Sequence, residues 1–368
     1  MGGLKRIVFT VTNDLSYDQR MQKICRSLST AGYNIELIGR TRNFSIPLKP
    51  EGYKQTRLRC LFNKGKLFYL EYNVRLFFYL LFCRFEAACA IDLDTIAPVY
   101  IVGKLKDAKL IYDAHEYFTE VPEVTRRPAI QKVWRWVERT FVPGFDLIYT
   151  VSGGLAELFQ KQYNKDVAVI MNVPVLHDAE AVAVSLNKKP YILYQGAFNE
   201  GRGLEYLIEA MQQIDCNLKL AGEGDLSQQL RQQVQDMQLG QKITFLGYVP
   251  PAELKQVTAH ASIGINLVEN TGLSYYYSLS NKFFDYIHAR IPQVCIAFPE
   301  YKKLNDKYDV AVLIDDCSPV QISAALKRLL HNENLYVQLQ KKCEVCSRNL
   351  NWQQEEKKLL ALYEQLFR

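Results

Sequence analysis

A chain of 368 residues exceeds what one core usually covers, so two domains of roughly 150 to 200 residues are expected. Its 48% hydrophobic and 23% charged residues are those of an ordinary globular protein, which excludes a disordered chain. The net charge of +6 is uneven, because residues 1–170 hold 25 Lys/Arg against 17 Asp/Glu while residues 171–368 hold 20 against 22. A basic first half fits nucleic acid, an anionic membrane surface, an anionic substrate or a plain solvated face.

In chain order, residues 6–12 (R-I-V-F-T-V-T) form an apolar, β-branched run suited to a strand buried on both faces. A polar loop, a helix from about residue 18 ending at Gly32, and a strand over 34–39 follow. This βαβ opening is Rossmann-like, and such folds gather ligands at the carboxyl ends of their strands. The loop 13–20 is therefore placed to touch a ligand. It lacks G-x-G-x-x-G, which argues against a dinucleotide there.

Residues 61–85 are densely aromatic and aliphatic, with Lys64, Lys66, Arg75 and Arg84 interspersed. A helix is expected, and two readings stand: a core helix with a basic edge, or one that also meets a membrane surface. Its longest uncharged apolar run, 76–83, is far below the roughly 20 residues that span a bilayer. Residues 1–6 lead directly into the first strand, so no signal peptide is expected. A protein in the cytoplasm, soluble or peripheral on the inner face of the membrane, is the expectation.

Strands are expected over 87–92 and 109–112. The first is followed by Asp92, Asp94 and Thr95, the second by Asp113-Ala114-His115-Glu116. His115 thus sits past a strand's carboxyl end beside two carboxylates, a placement that favours function over a structural histidine. A helix over 128–141, a strand over 146–151, a helix over 154–163 and a strand over 167–170 complete a first domain, 1–172. Residues 173–189 read as a linker.

A second domain, 190–346, opens with a strand at 191–194, a glycine-rich loop through Gly196, Gly201, Arg202 and Gly203, and a helix from Leu204. Strands over 217–221 and 243–246 end in Gly222-Glu223-Gly224 and Gly247-Tyr248. The strand 263–268 runs into Glu269, a Tyr-rich loop and a helix whose start, Ser280-Asn281, offers a cap, with Lys282 in its first turn. Glycines let backbone amides approach a phosphate closely, the helix start favours an anion, and Arg202 and Lys282 supply countercharge. A strand over 293–297 continues the sheet, and a last helix, 347–368, closes the chain.

Nine cysteines, at 25, 60, 83, 89, 216, 295, 317, 343 and 346, follow no framework spacing and read as small buried hydrophobes in a reducing compartment. Cys343 and Cys346 have C-x-x-C spacing, but no second pair or nearby histidine completes a zinc set.

The ordered motifs Y-Q-G-A-F-N-E-G-R-G-L-E-Y-L-I-E-A, L-A-G-E-G-D, F-L-G-Y-V-P, S-L-S-N-K-F-F-D-Y-I-H-A-R-I-P-Q-V and W-Q-Q-E-E-K-K-L-L-A-L-Y-E-Q-L resemble the retaining group-1 glycosyltransferases (family 4) of the GT-B fold. The segments N-D-L-S-Y-D-Q-R and Y-D-A-H-E-Y are similar to the same family. The resemblance implies two Rossmann-like, doubly wound parallel-sheet domains facing a cleft, with the C-terminal helix returning to the first domain. It implies a nucleotide-sugar donor held by the second domain and a glycan or lipid-linked acceptor held by the first, without cofactor, metal or nucleic acid.

Residue by residue, the resemblance places Gly196, Arg202, Gly222, Gly224, Gly247, Tyr248, Gly272, Leu273, Asn281, Lys282 and Asp285 at the donor, with Asp285 on the ribose. The family carries a lysine where this chain has Arg202 and a second cation where it has Ala197, a contact that Lys282 would replace. Of the family's acid pair, the second member maps onto Asp285 and the first falls on Tyr277, leaving Glu269 as the candidate first acid. His115 would hydrogen-bond the transferred sugar, so His115, Glu269, Arg202 and Lys282 are the expected catalytic residues. Asn13, Asp18, Arg20 and Asp94 would face the acceptor. Asp92 and Asp94 form D-L-D, which leaves a metal pair as the other reading of those two residues. A nucleotide-binding module without turnover and a sugar-nucleotide epimerase are the alternatives.

Overall fold

The computed structural model describes residues 5–43, 45–177 and 190–368, so part of the expected linker, 178–189, lies outside the described residues. The chain forms two units, Met1–Asn172 with Glu355–Arg368, and Val173–Gln354.

The first unit carries seven strands: β1 (Arg6–Thr10), β2 (Asn34–Arg40), β3 (Lys54–Leu58), β4 (Ala87–Ile91), β5 (Lys109–Ala114), β6 (Leu147–Thr150) and β7 (Val167–Val169). They pair in the order β3-β2-β1-β4-β5-β6-β7, every neighbour parallel. Ile7, Val8 and Phe9 are fully buried, as a strand covered by helices on both faces requires. β3 was not expected: K-Q-T-R-L has no apolar alternation, because it is an edge strand with partly exposed residues.

One core layer packs the helices Gly65–Phe82 and Ile96–Leu105 against the sheet through Phe68, Tyr72, Leu76, Leu80, Val99 and Val102. Tyr363, on the last helix (Trp352–Leu366), is fully buried, stacks on Phe9 at 6.3 Å and sets its hydroxyl 3.2 Å from that of Tyr149. On the same helix, Glu355 accepts the Met171 amide at 2.9 Å.

The second unit holds β8 (Tyr191–Gln195), β9 (Asn217–Ala221), β10 (Ile243–Gly247), β11 (Ile263–Asn266), β12 (Gln293–Ile296) and β13 (Ala311–Ile314). Their order is β10-β9-β8-β11-β12-β13, again parallel throughout. Both sheets therefore reverse direction once, at β1/β4 and at β8/β11, and ligands of doubly wound folds sit outside the strand ends at such points.

The Tyr-rich loop contains a short helix, Leu273–Tyr276, that its sequence did not suggest. The helix Asn281–His288 begins as expected, but Ser280 does not cap it: the hydroxyl donates to Asn266 Oδ1 at 2.6 Å. All nine cysteines are free thiols. Cys343 and Cys346 are one turn apart and buried on the helix Glu333–Asn349.

Candidate active site

In the second unit, three glycine turns are stitched together at the ends of β8, β9 and β10. The Gly196 amide donates to Ala221 O (3.0 Å), the Gly222 amide to Gly247 O (2.8 Å), and the Phe198 amide to Glu223 O (3.1 Å). Gly196 (φ 133°), Gly222 (φ 153°) and Gly247 (φ 66°) hold backbone conformations closed to most other residues. A β-carbon at Gly222 would stand 1.9 Å from Gly196 O, and one at Gly224 2.6 Å from Phe198 O, so these turns close only because side chains are absent.

Two cations reach this place. The Lys282 ammonium lies 4.0 Å from the Tyr194 ring centroid and 3.6 Å from where a Gly196 β-carbon would stand. Lys282 is only 8% exposed. Burial, reinforced by the nearby Arg202 charge, holds its pKa well below the usual lysine value. The Arg202 guanidinium stacks on Tyr275 at 4.4 Å. Among the described residues neither cation forms an ion pair or side-chain hydrogen bond with a carboxylate. Two cations without a carboxylate partner beside glycine turns of little bulk suit an anion.

The other residues expected at the donor differ in burial and partners. Asp285 lies one turn after Lys282 and accepts Gln195 Nε2 at 2.8 Å; Gln195 in turn accepts Thr258 Oγ1 at 2.7 Å, which orients the carboxylate. Tyr248, Leu273 and Asn281 are exposed, and Gly272 precedes the short helix. Glu269 is bonded to the two residues that flank Arg202. Its amide donates to Gly201 O (2.9 Å), and burial raises its carboxyl pKa while the Gly203 amide pulls it back. It lines a groove of about 420 Å³ with Tyr206, Phe298, Asp315 and Cys317, to which neither Arg202 nor Lys282 contributes.

In the first unit the ends of β1, β4 and β5 carry a second polar centre. His115 Nε2 lies 3.1 Å from Asp113 Oδ2, the His115 amide donates to Asp92 Oδ1 at 2.8 Å, and Nδ1 is 3.7 Å from Asp92 Oδ2. Burial alone would lower the imidazole pKa, but the Asp113 and Asp92 carboxylates outweigh it and raise it to about 9. Asp113, which Arg20 and His115 hold low against its burial, is the carboxylate that favours the imidazolium, while burial pushes the Asp92 carboxyl itself up to about 8. Asp92 has φ 54° and ψ −177°, a strained conformation for a non-glycine residue and one that concentrates at functional sites. Desolvation raises Asp94 to about 6, against the hydrogen bond it accepts from Thr12 Oγ1.

Arg20, expected to face the acceptor, is engaged within the chain. It is 4% exposed, donates Nη2 to Asp113 Oδ1 (2.9 Å), Nε to Asp113 Oδ2 (3.3 Å) and Nη1 to Ile170 O (2.9 Å), and so serves Asp113 rather than a ligand. Asp18 caps the helix Gln19–Thr30 through the Met21 amide, while Asn13 is exposed. Sequence reasoning missed Arg40, which closes β2 and stacks on Phe68 at 3.7 Å. Its Nη1 donates to Asn63 O, and its buried Nε has no acceptor among the described residues. A lone arginine ending an apolar strand was the available signal. Also among the described residues, no group of three or more potential ligands is arranged to hold a metal ion.

Residues 178–345 match the family model of group 1 glycosyl transferases. No curated protein matches the chain in sequence. Among solved structures the chain is similar to sucrose-phosphate synthase from Thermosynechococcus elongatus, with TM-score 0.81 at 17% identity over 99% of both chains. It is also similar to Anabaena HepE crystallised with UDP-glucose, with TM-score 0.77 at 12% identity over 98% of this chain and 99% of that one. A third likeness is to WaaG, a glycosyltransferase involved in lipopolysaccharide biosynthesis, with TM-score 0.71 at 11% identity over 96% and 98%. The chain thus has the GT-B fold of these glycosyltransferases, two parallel-sheet units, and within it residues 178–345 match the group 1 glycosyl transferase model.

Proposed function

We propose that this chain is a retaining, metal-independent hexosyltransferase. It moves a sugar from a UDP- or GDP-sugar to a glycan or lipid-linked acceptor in the synthesis of cell-surface polysaccharide or glycolipid. The observation that carries this reading is the uncompensated pair Arg202 and Lys282 beside Gly196. Breaking a sugar–phosphate bond leaves a diphosphate whose growing charge must be met. Two cations meet it, and losing one such donor raises the barrier by about 2.7–4 kcal/mol. HepE, with a similar fold, was crystallised with UDP and with UDP-glucose, which supports a nucleotide-sugar donor.

In this reading Asp285, oriented by Gln195, accepts from the donor ribose. His115, held protonated between Asp113 and Asp92, donates to the transferred sugar while the leaving phosphate takes the acceptor's proton. The acceptor meets the first unit through Asn13 and Asp94. The test combines thermal shifts with UDP, GDP and their sugars and a transfer assay on Arg202→Ala. The reading expects a shift with one nucleotide in the wild type, lost together with transfer in the variant. Full transfer by a variant that melts normally would sink it.

A second reading, a nucleotide-binding module without turnover, is favoured by Ala197 and Tyr277, which stand where the resemblance expects a cation and the first acid. Tight nucleotide binding with no product from any acceptor pool distinguishes it.

A further inference from the structure

We infer that the outer face of three helices in the first unit docks on an anionic lipid bilayer. The helix Gly65–Phe82 buries one stripe, Phe68, Tyr72, Leu76 and Leu80, at four-residue spacing. Its opposite stripe, Leu67, Leu70, Val74, Phe78 and Phe82, has the same helical spacing and is just as apolar, yet it faces outward, Phe82 being 84% exposed. A helix apolar all round is normally buried, and on this one no described residue covers the second stripe. The single acid of the helix is folded away: Glu71 accepts the Leu61 and Phe62 amides and Arg75 Nε, all at 2.8–2.9 Å.

The surface continues onto two neighbours. The helix Ile96–Leu105 exposes Ile101 and Leu105, and the helix Pro128–Phe141 exposes Val133 and Trp136, the latter 63% exposed. Contact of Tyr69 with Trp134 at 5.9 Å, and of Tyr100 with Phe141 at 5.2 Å, ties the three helices to one side of the sheet. A patch of this extent marks an interaction surface rather than scattered exposure.

Charge selects the occupant. Residues 61–85, 96–106 and 126–141 together carry 11 Lys/Arg and only two acids, Glu71 and Glu138, of which Glu71 is tied down and Glu138 is 1% exposed. Arg135 is paired with Glu120, and apolar side chains interleaved with Lys132 and Arg139 fit lipid tails beneath negatively charged headgroups, with the long cationic stems reaching up to the phosphates. No described helix is long and apolar enough to cross a membrane, so the contact lies along the interface.

The test uses the full chain and sedimentation with vesicles of phosphatidylcholine alone or mixed with an equal part of phosphatidylglycerol. Wild-type protein is expected on the mixed vesicles, weakly on the neutral ones, with binding falling as salt rises and Trp fluorescence shifting to the blue. Phe78→Ser with Phe82→Ser, and Lys132→Glu with Arg139→Glu, should each weaken partitioning by about tenfold or more. These positions are exposed, so both variants should keep the wild-type melting temperature and nucleotide response, which separates lost docking from lost folding. Equal binding by wild type and variants, or none to mixed vesicles, overturns the inference. So does concentration-dependent dimerisation that lipid does not compete with, since a second copy would then cover the face. Vesicle binding requires no sugar transfer, so this result stands or falls apart from the proposed reaction.

Discussion

Lys282 sets its ammonium 4.0 Å from the centre of the Tyr194 ring, with Arg202 rather than a carboxylate as its charged neighbour. The site therefore holds a buried cation at a cost that the proposed diphosphate would offset. Lys282→Met keeps the volume and removes the charge, so unfolding in urea should show the ligand-free protein stabilised by about 1–3 kcal/mol. Nucleotide affinity measured by calorimetry should fall at least tenfold. The pH dependence has a definite sign. Because the folded pKa lies below the ordinary 10.5, the folded state binds fewer protons than the unfolded state between those values, and ligand-free stability rises with pH across that window. A Lys282→Met variant that is less stable and binds normally would contradict the assignment.

His115 supplies the opposite pH signature. Its folded pKa of about 9 lies above the ordinary 6.5, so its stabilisation is complete below pH 6.5 and is lost as pH rises through 9. The imidazole is mostly buried, and the contribution is on the order of 2 kcal/mol. The stability advantage of wild type over His115→Gln, read from urea midpoints, should shrink between pH 6.5 and 9, because the Lys282 contribution is common to both proteins. An NMR titration of the ring reads the pKa directly, and a value near 6.5 would remove the imidazolium from the proposed reaction.

Gly222→Ala tests the stitched turns. The added methyl would stand 1.9 Å from Gly196 O at a residue with φ 153°, so the β8 and β9 turns must separate. Loss of about 2–4 kcal/mol is expected, with loss of the nucleotide-induced thermal shift. Gly240→Ala is the control, since no atom lies within 4 Å of its added carbon and stability should hold. Equal melting temperatures for the two variants would refute the close approach.

Much of this was legible in residue order. Buried parallel strands are continuous apolar runs, so β1, β4, β5 and β9 could be placed, and strand ends in a doubly wound sheet pointed to His115 and the glycine turns. What escaped was set by distant partners. Arg20 reads as an exposed loop cation until β5, 93 positions on, brings Asp113 to it. Ser280 reads as a helix cap, but Asn266 takes its hydroxyl. β3 has no apolar pattern because the edge of a sheet needs none, and Arg40 looked like the polar end of a strand.

The Arg20–Asp113 pair should behave as a support whose two halves fail separately. Asp113 is fully buried, and the arginine provides two of its hydrogen bonds, at 2.9 and 3.3 Å. Arg20→Met leaves that carboxylate with His115 alone, and breaking a buried pair from one side costs about 3–5 kcal/mol. Arg20→Met with Asp113→Leu removes both charges and should recover at least half of the loss, as measured by chemical denaturation. The same double variant should also drop the His115 pKa, because the first carboxylate that raises it is gone. If the double variant recovered stability but left the His115 titration unchanged, Asp113 would be a packing residue only, and the protonated state of His115 would have to come from Asp92.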